Sequence, residues 1–325
     1  MTAETTPALR PDSAGLLSPS WGGFDPARTQ GGGARDYRRS FATAARLGWQ
    51  MEANWTDPIL FFIYSVAKPL ASALILVVML DVISGGKSKP EYRAFVIVGS
   101  ALWAFVLSGI SGLAWMILDD RERYRMLKYL YVSPSDFLTV MFGRGVARIG
   151  VGAMGAAITL GVGILVLGVP FDLGAVHWVL LVVVMTLGVI SILGIGLLLA
   201  AICMQTRQES WSYPEAAAGA LFLISGVVFP LAVLPSFAQA IGLLTPLTWW
   251  IEGVRQALFP GGVSSVGGAG SLYDQLTGQL VPDPATVVVA LLATGTVATL
   301  AALAVFRGSE RRAKDRGLLD RTTGS

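Results

Sequence analysis

Long apolar runs separated by short polar segments dominate the pattern along this chain. A bilayer core of about 30 Å needs roughly 20 apolar residues per helix, and five runs meet that length. They are Ile59–Ile83, Ala94–Leu118, Ile149–Val169, Val176–Met204 and Thr286–Phe306. A sixth run starts near Ala216 but meets Pro230, which interrupts a helix. The pattern predicts an all-α polytopic membrane protein with a transmembrane domain over 58–307, in which one of six spans is broken.

Composition supports this class. Only 14% of the 325 residues are charged and 54% are hydrophobic, whereas soluble domains carry about 25% charged residues. The spans divide the rest of the chain into segments that should lie alternately on the two sides of the membrane. Of the 24 lysines and arginines, nineteen lie on the side of the N-terminal segment, four lie on the other side, and Lys68 lies within a span. Because cytosolic segments of membrane proteins are enriched in positive charge, we expect both termini to lie in the cytosol. The expected location of the protein is the plasma (inner) membrane. Residues 1–36 are predicted to be a disordered tail and 308–325 a basic tail.

The segment before the first span, 37–57, has the periodicity of an amphipathic helix. Its apolar positions recur three or four residues apart, and its polar positions fall on the opposite face. The apolar set is Phe41, Ala44, Gly48, Met51 and Trp55, and the polar set is Arg39, Thr43, Arg46, Gln50 and Asn54. We predict an interface helix in the membrane surface, with Trp49 and Trp55 at headgroup level and Arg39 and Arg46 facing anionic lipid.

A charged segment, "DDRERYRMLKYLYVSPSD", separates the second and third spans. Helical spacing gives it an apolar face that includes Leu127 and Leu130 and a basic face that includes Arg121 and Arg125, and Pro134 ends it. A bare positive-inside loop would explain the arginines. It would not explain the apolar stripe, so we favour a short cytosolic helix over 119–134 that docks a soluble partner.

Three prolines interrupt the apolar sequence between Ser225 and Phe259, at Pro230, Pro235 and Pro246. Non-helical backbone at membrane depth requires burial in protein or a cavity. We predict that the fifth span stops early and that two short helices re-enter from the outside within an outer region, 230–284. Trp249 and Trp250 would anchor this hairpin at the outer interface. A kinked helix followed by an amphipathic loop is the alternative.

Two glycine-containing patterns imitate nucleotide-binding motifs. "DVISGGKS" resembles a phosphate-binding loop, but Asp81 replaces its first glycine and an apolar helix precedes it. Gly150, Gly152 and Gly155 spell G-x-G-x-x-G inside a span, where small residues usually allow close helix packing. We expect no nucleotide site in either place.

Candidate catalytic and metal-binding residues are few. His177 is the only histidine and sits at the end of a span, and Cys203 is the only cysteine and sits in an apolar run. We interpret them as a boundary residue and an inert buried thiol. The sequence therefore predicts neither an enzyme nor a metal site.

Lys68 lies about ten residues into the first span, roughly 15 Å deep at 1.5 Å per residue. An intramembrane lysine lines a polar path or snorkels to the interface, and the sequence leaves both open. If it lines a path, an anionic group on the substrate is its natural partner.

Four motifs occur in a distinctive order. "DPILFF…KP" opens the first span, "DDRERYRMLKYLYVSP" follows the second, and "GRGVARI" begins the third. "SGVVFPLAVLP…LTPLTWWIEGVRQAL" precedes the last span. Together, over about residues 40–307, they resemble the permease subunits of type-2 ABC exporters, a family that includes drug-resistance exporters and polysaccharide or teichoic-acid transporters.

The resemblance implies a permease that pairs with a second permease subunit, identical or not, and with a cytosolic nucleotide-binding ATPase. The chain itself would bind no cofactor and no nucleic acid, while ATP and Mg²⁺ would bind the partner. The segment 119–134 would be the coupling helix that carries ATPase movement to the spans, and the interface helix would also contact the ATPase. The coupling residues implied are Asp120, Arg121, Glu122, Arg123, Leu127, Lys128, Leu130, Ser133 and Pro134.

The substrate expected from these features is a hydrophobic or amphipathic molecule or a lipid-linked glycan, moved outward. The absence of obvious aromatic stripes for sugar stacking favours the hydrophobic classes slightly. A membrane anchor or sensor that recruits a cytosolic protein is an alternative. A self-sufficient secondary transporter is disfavoured, because Asp81 is the only carboxylate within the predicted spans.

Overall fold

The structure, a computed structural model, describes residues 34–53, 58–132, 136–206 and 212–315, and in these ranges it contains helices and no strands. Predictions for the tails 1–33 and 316–325, and for Trp55, Ser133 and Pro134, lie outside the described residues. So do the side chains of Lys68 and Lys128, although their backbones lie in helices.

Eleven α-helices follow one another along the described chain. They are α1 (Ala34–Ala53), α2 (Pro58–Ile83), α3 (Pro90–Leu118), α4 (Leu127–Val132), α5 (Phe137–Leu165), α6 (Trp178–Gln205), α7 (Ser212–Ile224), α8 (Ser236–Leu244), α9 (Pro246–Leu258), α10 (Leu272–Thr277) and α11 (Pro284–Asp315). A π-helical turn, Asp119–Arg123, continues α3, and a 3-10 turn, Leu231–Val233, precedes α8.

Four described helices are long and apolar enough to cross a membrane, which supports a multi-pass membrane protein. They are Pro90–Arg123, Phe137–Leu165, Trp178–Gln205 and Pro284–Ala313. Within α2 the described apolar stretch is shorter, Leu70–Ile83, and α7 has only 13 residues.

The helix that contains the predicted third span begins before Ile149, where the sequence pattern placed the start of the span. The helix α5 begins three turns earlier, at Phe137, where the Asp136 side chain caps it by accepting a 2.9 Å hydrogen bond from the Thr139 amide. Arg144 and Arg148 therefore lie in a helix and not in a loop. Their charges are tolerated there because acidic residues from other helices neutralise them, as described below.

The helix α3 lies at the centre of the packing, between α5, α6 and α7, and is buried along most of its length. Close approach depends on glycine. A Cβ at Gly109 would lie 2.3 Å from Ile192 Cγ2, and one at Gly152 would lie 2.6 Å from Ser108 Cβ. This confirms the helix-packing interpretation for Gly152 in the G-x-G-x-x-G pattern.

Gly188 of α6 faces the indole of Trp250 in α9, and this contact provides a stability prediction. A Cβ at Gly188 would lie 1.9 Å from Trp250 Cδ1, and Trp250 is fully buried and stacked on Phe105 with ring centroids 5.4 Å apart. Because the ring has no space to retreat, we expect Gly188→Ala to destabilise the protein by about 3 kcal/mol. Thermal unfolding of the purified protein in detergent would measure the loss.

The matched control is Gly161→Ala in α5, where nothing lies within 4 Å of an added Cβ. That variant should be neutral or gain about 0.5–1 kcal/mol, since alanine is the better helix former. Equal melting temperatures for the two variants would contradict the packing argument.

Candidate coupling and transport sites

The predicted single helix over 119–134 is divided in the structure. The π-helical turn Asp119–Arg123 ends where the Tyr124 amide donates to the Asp119 carbonyl (2.8 Å) and the Met126 amide donates to the Asp120 carbonyl (2.9 Å). Arg125 then has a left-handed backbone, with φ of 49°, and α4 restarts at Leu127. A left-handed residue commonly ends a helix, so the chain changes direction at Arg125 instead of running straight to Pro134.

Asp120 forms a buried ion pair with Arg144 of α5. The Arg144 Nη1 to Asp120 Oδ2 distance is 2.5 Å, and the two side chains are 5% and 1% exposed. The predicted coupling residue Asp120 therefore faces the interior of the permease, where it fastens the π-helical turn to α5.

Arg121 is also buried and fastens the same turn to α6. Its Nη1 donates to the backbone carbonyls of Cys203 (3.1 Å) and Thr206 (2.9 Å) at the end of α6. Its Nη2 pairs with Glu122 at 2.8 Å. A guanidinium on the last carbonyls of a helix satisfies acceptors that the helix leaves open and complements its dipole. Cys203 itself is buried, as predicted.

Arg148, one turn after Arg144, joins α5 to α1. Its Nε lies 2.7 Å from Glu52 Oε1, and its Nη2 lies 3.7 Å from Asp119 Oδ2. Its stem crosses α3 at Gly112, where a Cβ would lie 2.8 Å from Arg148 Cδ. Consecutive residues of one turn thus connect to α5 and α6, and Arg148 extends the connection from α5 to α1.

The exposed part of the segment is smaller than predicted. Leu127 is 1% exposed and packs inside the core, and Leu130 is partly buried against it. Arg123, Tyr124, Arg125 and Tyr129 are exposed, and the Arg123 guanidinium lies 5.7 Å from the Tyr124 ring centre. We call these four residues the basic–aromatic patch.

The interface helix α1 packs on α5 through small residues. A Cβ at Gly143 of α5 would lie 2.8 Å from Ala44 Cβ, and one at Gly48 would lie 2.9 Å from Arg144 Cα. The predicted lipid-facing residues Arg39, Arg46 and Trp49 are exposed on the other sides of the helix. The small apolar positions therefore face protein, and the large aromatic ones lie at the surface.

The proline-broken region contains short helices, with α7 ending at Ile224. Pro230 precedes the 3-10 turn, Pro235 caps α8, and Pro246 is the first residue of α9. Each proline thus occupies a helix start, where its missing amide costs least.

The prediction that Trp249 and Trp250 anchor this region at the interface is wrong. Trp249 is 6% exposed and donates to the Leu243 carbonyl at 2.7 Å, and Trp250 is fully buried. Glycine at position 188 leaves room for the Trp250 indole inside the helix bundle.

Arg255 in α9 organises the region between α7 and α10, a role that sequence reasoning missed. Its Nη atoms donate to the carbonyls of Gly226 (2.7 Å), Val227 (2.7 Å) and Phe95 (2.9 Å) and to the Ser265 hydroxyl. Its guanidinium lies 3.5 Å from the Phe95 ring centre. One signal in the sequence could have indicated this role. The proline-broken segment leaves backbone carbonyls without helical donors, and an arginine that could donate to them follows it.

The non-helical chain between α7 and α8 packs directly on α3. A Cβ at Gly99 of α3 would lie 1.9 Å from the Val227 carbonyl oxygen and 2.5 Å from Arg255 Nη2. Glu252, one turn before Arg255 and fully buried, accepts from the Ser265 amide (2.5 Å) and the Ser264 hydroxyl (2.9 Å). Together these contacts join three parts into one unit: the loop after α9, the chain between α7 and α8, and α3.

A cavity of about 710 Å³ lies between α2, α3, α5 and α7. Hydrophobic and aromatic side chains line most of it, and its polar lining includes the α3 serines Ser100, Ser108 and Ser111 and the charged residues Glu52, Arg148 and Glu215. Concave, mostly apolar surfaces with a few placed polar groups are typical of ligand sites. Lys68 lies in α2, one turn before Ser72, which lines the cavity.

Groups of three or more histidine, cysteine or carboxylate residues able to hold a metal do not occur among the described residues. His177 is exposed at the start of α6, in agreement with its interpretation as a boundary residue.

Comparison with known families agrees with this arrangement of helices. No curated protein matches the chain. The family model described as "ABC-2 type transporter" matches residues 44–259, more than half of the chain, from the interface helix through α9. Permeases of this family pair in general with an ATP-binding subunit. The chain belongs to the ABC-2 type transporter family.

Proposed function

We propose that this chain is the transmembrane permease subunit of an ABC exporter. It takes mechanical work from a separate cytosolic ATPase, which binds ATP and Mg²⁺, and moves an amphipathic or hydrophobic substrate outward. Family membership supports the general role. The observation that carries the mechanism is the π-helical turn whose residues Asp119, Asp120 and Arg121 are tied to α5 and α6.

In this proposal the chain crosses the membrane six times, with α7 and the broken segment after it as the fifth crossing. Both termini lie in the cytosol, as the distribution of lysine and arginine favours. The helices α8 and α9 re-enter from the outer side, and two permease subunits form the complete transporter. The outer unit around Arg255 moves as a rigid body because the Arg255 guanidinium joins α9 to the backbone carbonyls of Val227 and Phe95.

The basic–aromatic patch is the proposed contact with the ATPase. Its arginine and tyrosine side chains suit a protein interface, where these residue types are enriched. Asp120, Arg121 and Leu127 act behind it, as the link between the patch and the spans. A π-helical turn at this point fits such a role, because π-bulges are frequent at functional sites.

Co-purification tests the coupling proposal. The double variant Arg123→Glu/Tyr129→Ala should reduce recovery of the ATPase encoded with this permease about tenfold or more, because hot-spot arginine and tyrosine residues each contribute about 2 kcal/mol or more. The permease should remain folded, since both positions are exposed.

Arg311→Glu, an exposed charge reversal near the end of α11, is the control for a general loss of positive charge. Recovery of the ATPase at wild-type level with the double variant, or an equal loss with the control, would contradict the assignment of the patch.

A further inference from the structure

The cavity between α2, α3, α5 and α7 follows α3 for much of its length. Its lining includes Ser100 and Trp115 of that helix, which are about 22 Å apart along the axis at 1.5 Å per residue. Since α3 leads into the π-helical turn, Trp115 lies near the inner end and Ser100 toward the outer end. The cavity therefore has the length of an extended amphiphile, not of a small ion.

Aromatic side chains form its walls. Trp103 and Phe222 meet edge to face, with ring centres 5.1 Å apart and planes at 61°, and Trp115 lines the cavity three turns farther in. Such surfaces take an apolar or aromatic body, and their π faces also attract cations.

The hydroxyls of α3 differ in their availability. Ser100 donates to the Val96 carbonyl (2.7 Å) and Ser108 donates to the Arg148 carbonyl (2.7 Å), so both are satisfied within the protein. The Ser111 hydroxyl, on a residue only 7% exposed, has no hydrogen-bond partner among the described residues. Buried polar atoms are normally satisfied, so we infer that the Ser111 side chain turns toward the cavity that it lines when a polar group of a ligand is there.

The inner end of the cavity has an excess of negative charge among the described side chains. Arg148 is occupied by Glu52 at 2.7 Å and by Asp119 at 3.7 Å. Glu215, in the first turn of α7, lines the cavity and forms no ion pair or side-chain hydrogen bond with the described residues. A carboxylate that lines the same cavity as aromatic faces is a suitable partner for an ammonium group.

We propose that this cavity selects lipophilic cations: an apolar body lies along Trp103 and Phe222, and a positively charged nitrogen lies at the inner end against Glu215. This inference rests on the proposed function, in which the cavity is the transport path, and it specifies the charge of the substrate. It predicts the opposite selectivity to an anion path through Lys68.

An isosteric pair of ions tests the proposal. Tetraphenylphosphonium and tetraphenylborate have the same shape and opposite charge, and their binding to the purified full-length permease in detergent can be followed separately by tryptophan fluorescence. We expect the cation to bind at least about tenfold more tightly, and Glu215→Gln to weaken cation binding about tenfold without changing anion binding. Ser111→Ala should weaken the binding of a hydroxyl-bearing or amine-bearing cation, dodecylamine, by a few-fold.

Glu91→Gln, an exposed acid in the first turn of α3 at its other end, is the matched control. The proposal is overturned if the anion binds as tightly as the cation, or if Glu215→Gln and Glu91→Gln have equal effects on cation binding. It is also overturned if the wild-type permease prefers the anion and Lys68→Gln abolishes that preference. Because binding is measured without the ATPase, failure of the co-purification test and failure of this test are distinguishable.

Discussion

Replacing Arg144 by methionine is expected to destabilise the folded permease by about 3–5 kcal/mol, because it leaves the carboxylate of Asp120 buried without its counter-charge. Asp120 is 1% exposed, and its second oxygen, Oδ1, already has no hydrogen-bond partner among the described residues. The side-chain partner of Asp120 in this part of the protein is thus the arginine that the substitution removes. The melting temperature of the purified protein in detergent, measured as the loss of the folded peak in size-exclusion chromatography after heating, would report the loss of stability.

Arg148→Met is the matched control, one helical turn away on α5. Its ion pair with Glu52 is partly exposed, with side chains 24% and 28% accessible, so the cost should be about 1 kcal/mol or less. If Arg144→Met costs no more than Arg148→Met, the buried pair does not stabilise the turn.

A double-mutant cycle separates the pair from the packing of its methylene groups. Asp120→Leu/Arg144→Met removes both charges and should recover much of the stability that either single variant loses. ATPase-coupled transport by the double variant should remain impaired, since the link between the π-helical turn and α5 would be apolar and non-directional.

The helix positions could be predicted from sequence wherever local composition sets them. The first apolar run, Ile59–Ile83, corresponds to α2 (Pro58–Ile83), because a run of apolar residues defines a helix without reference to its neighbours. The start of α5 could not be predicted in this way. Arg144 and Arg148 resemble loop residues until Asp120 and Glu52, distant in the sequence, neutralise them.

The helical character of the charged segment could be predicted from sequence, but the direction that its side chains face could not. Helical spacing assigns Arg121 to an exposed face, yet the π-helical turn changes the register and directs it to the end of α6. Trp250 shows the same limit, because aromatic residues suit both a membrane interface and a protein core. Gly188, on another helix, decides between the two.

Arg255 should be as sensitive as Arg144, at the opposite end of the molecule. Arg255→Met removes the donors to the carbonyls of Gly226, Val227 and Phe95, and we expect a loss of about 3 kcal/mol or more. Arg255→Lys should not restore stability, because a single ammonium group cannot reproduce the planar set of donors or the stacking on Phe95.

In the proposed topology this network lies on the outer side of the membrane, which gives it a specific readout. With the three carbonyls unpaired, the chain between α7 and α8 should detach from Gly99 of α3 and become cleavable by protease added from the outer side, while α1 stays protected. Arg93→Met is the control, since its pair with Asp81 is about one-third exposed and contributes about 1 kcal/mol or less. Wild-type protection in both Arg255 variants would mean that the break holds its shape without the guanidinium, and the outer unit could then no longer be treated as rigid.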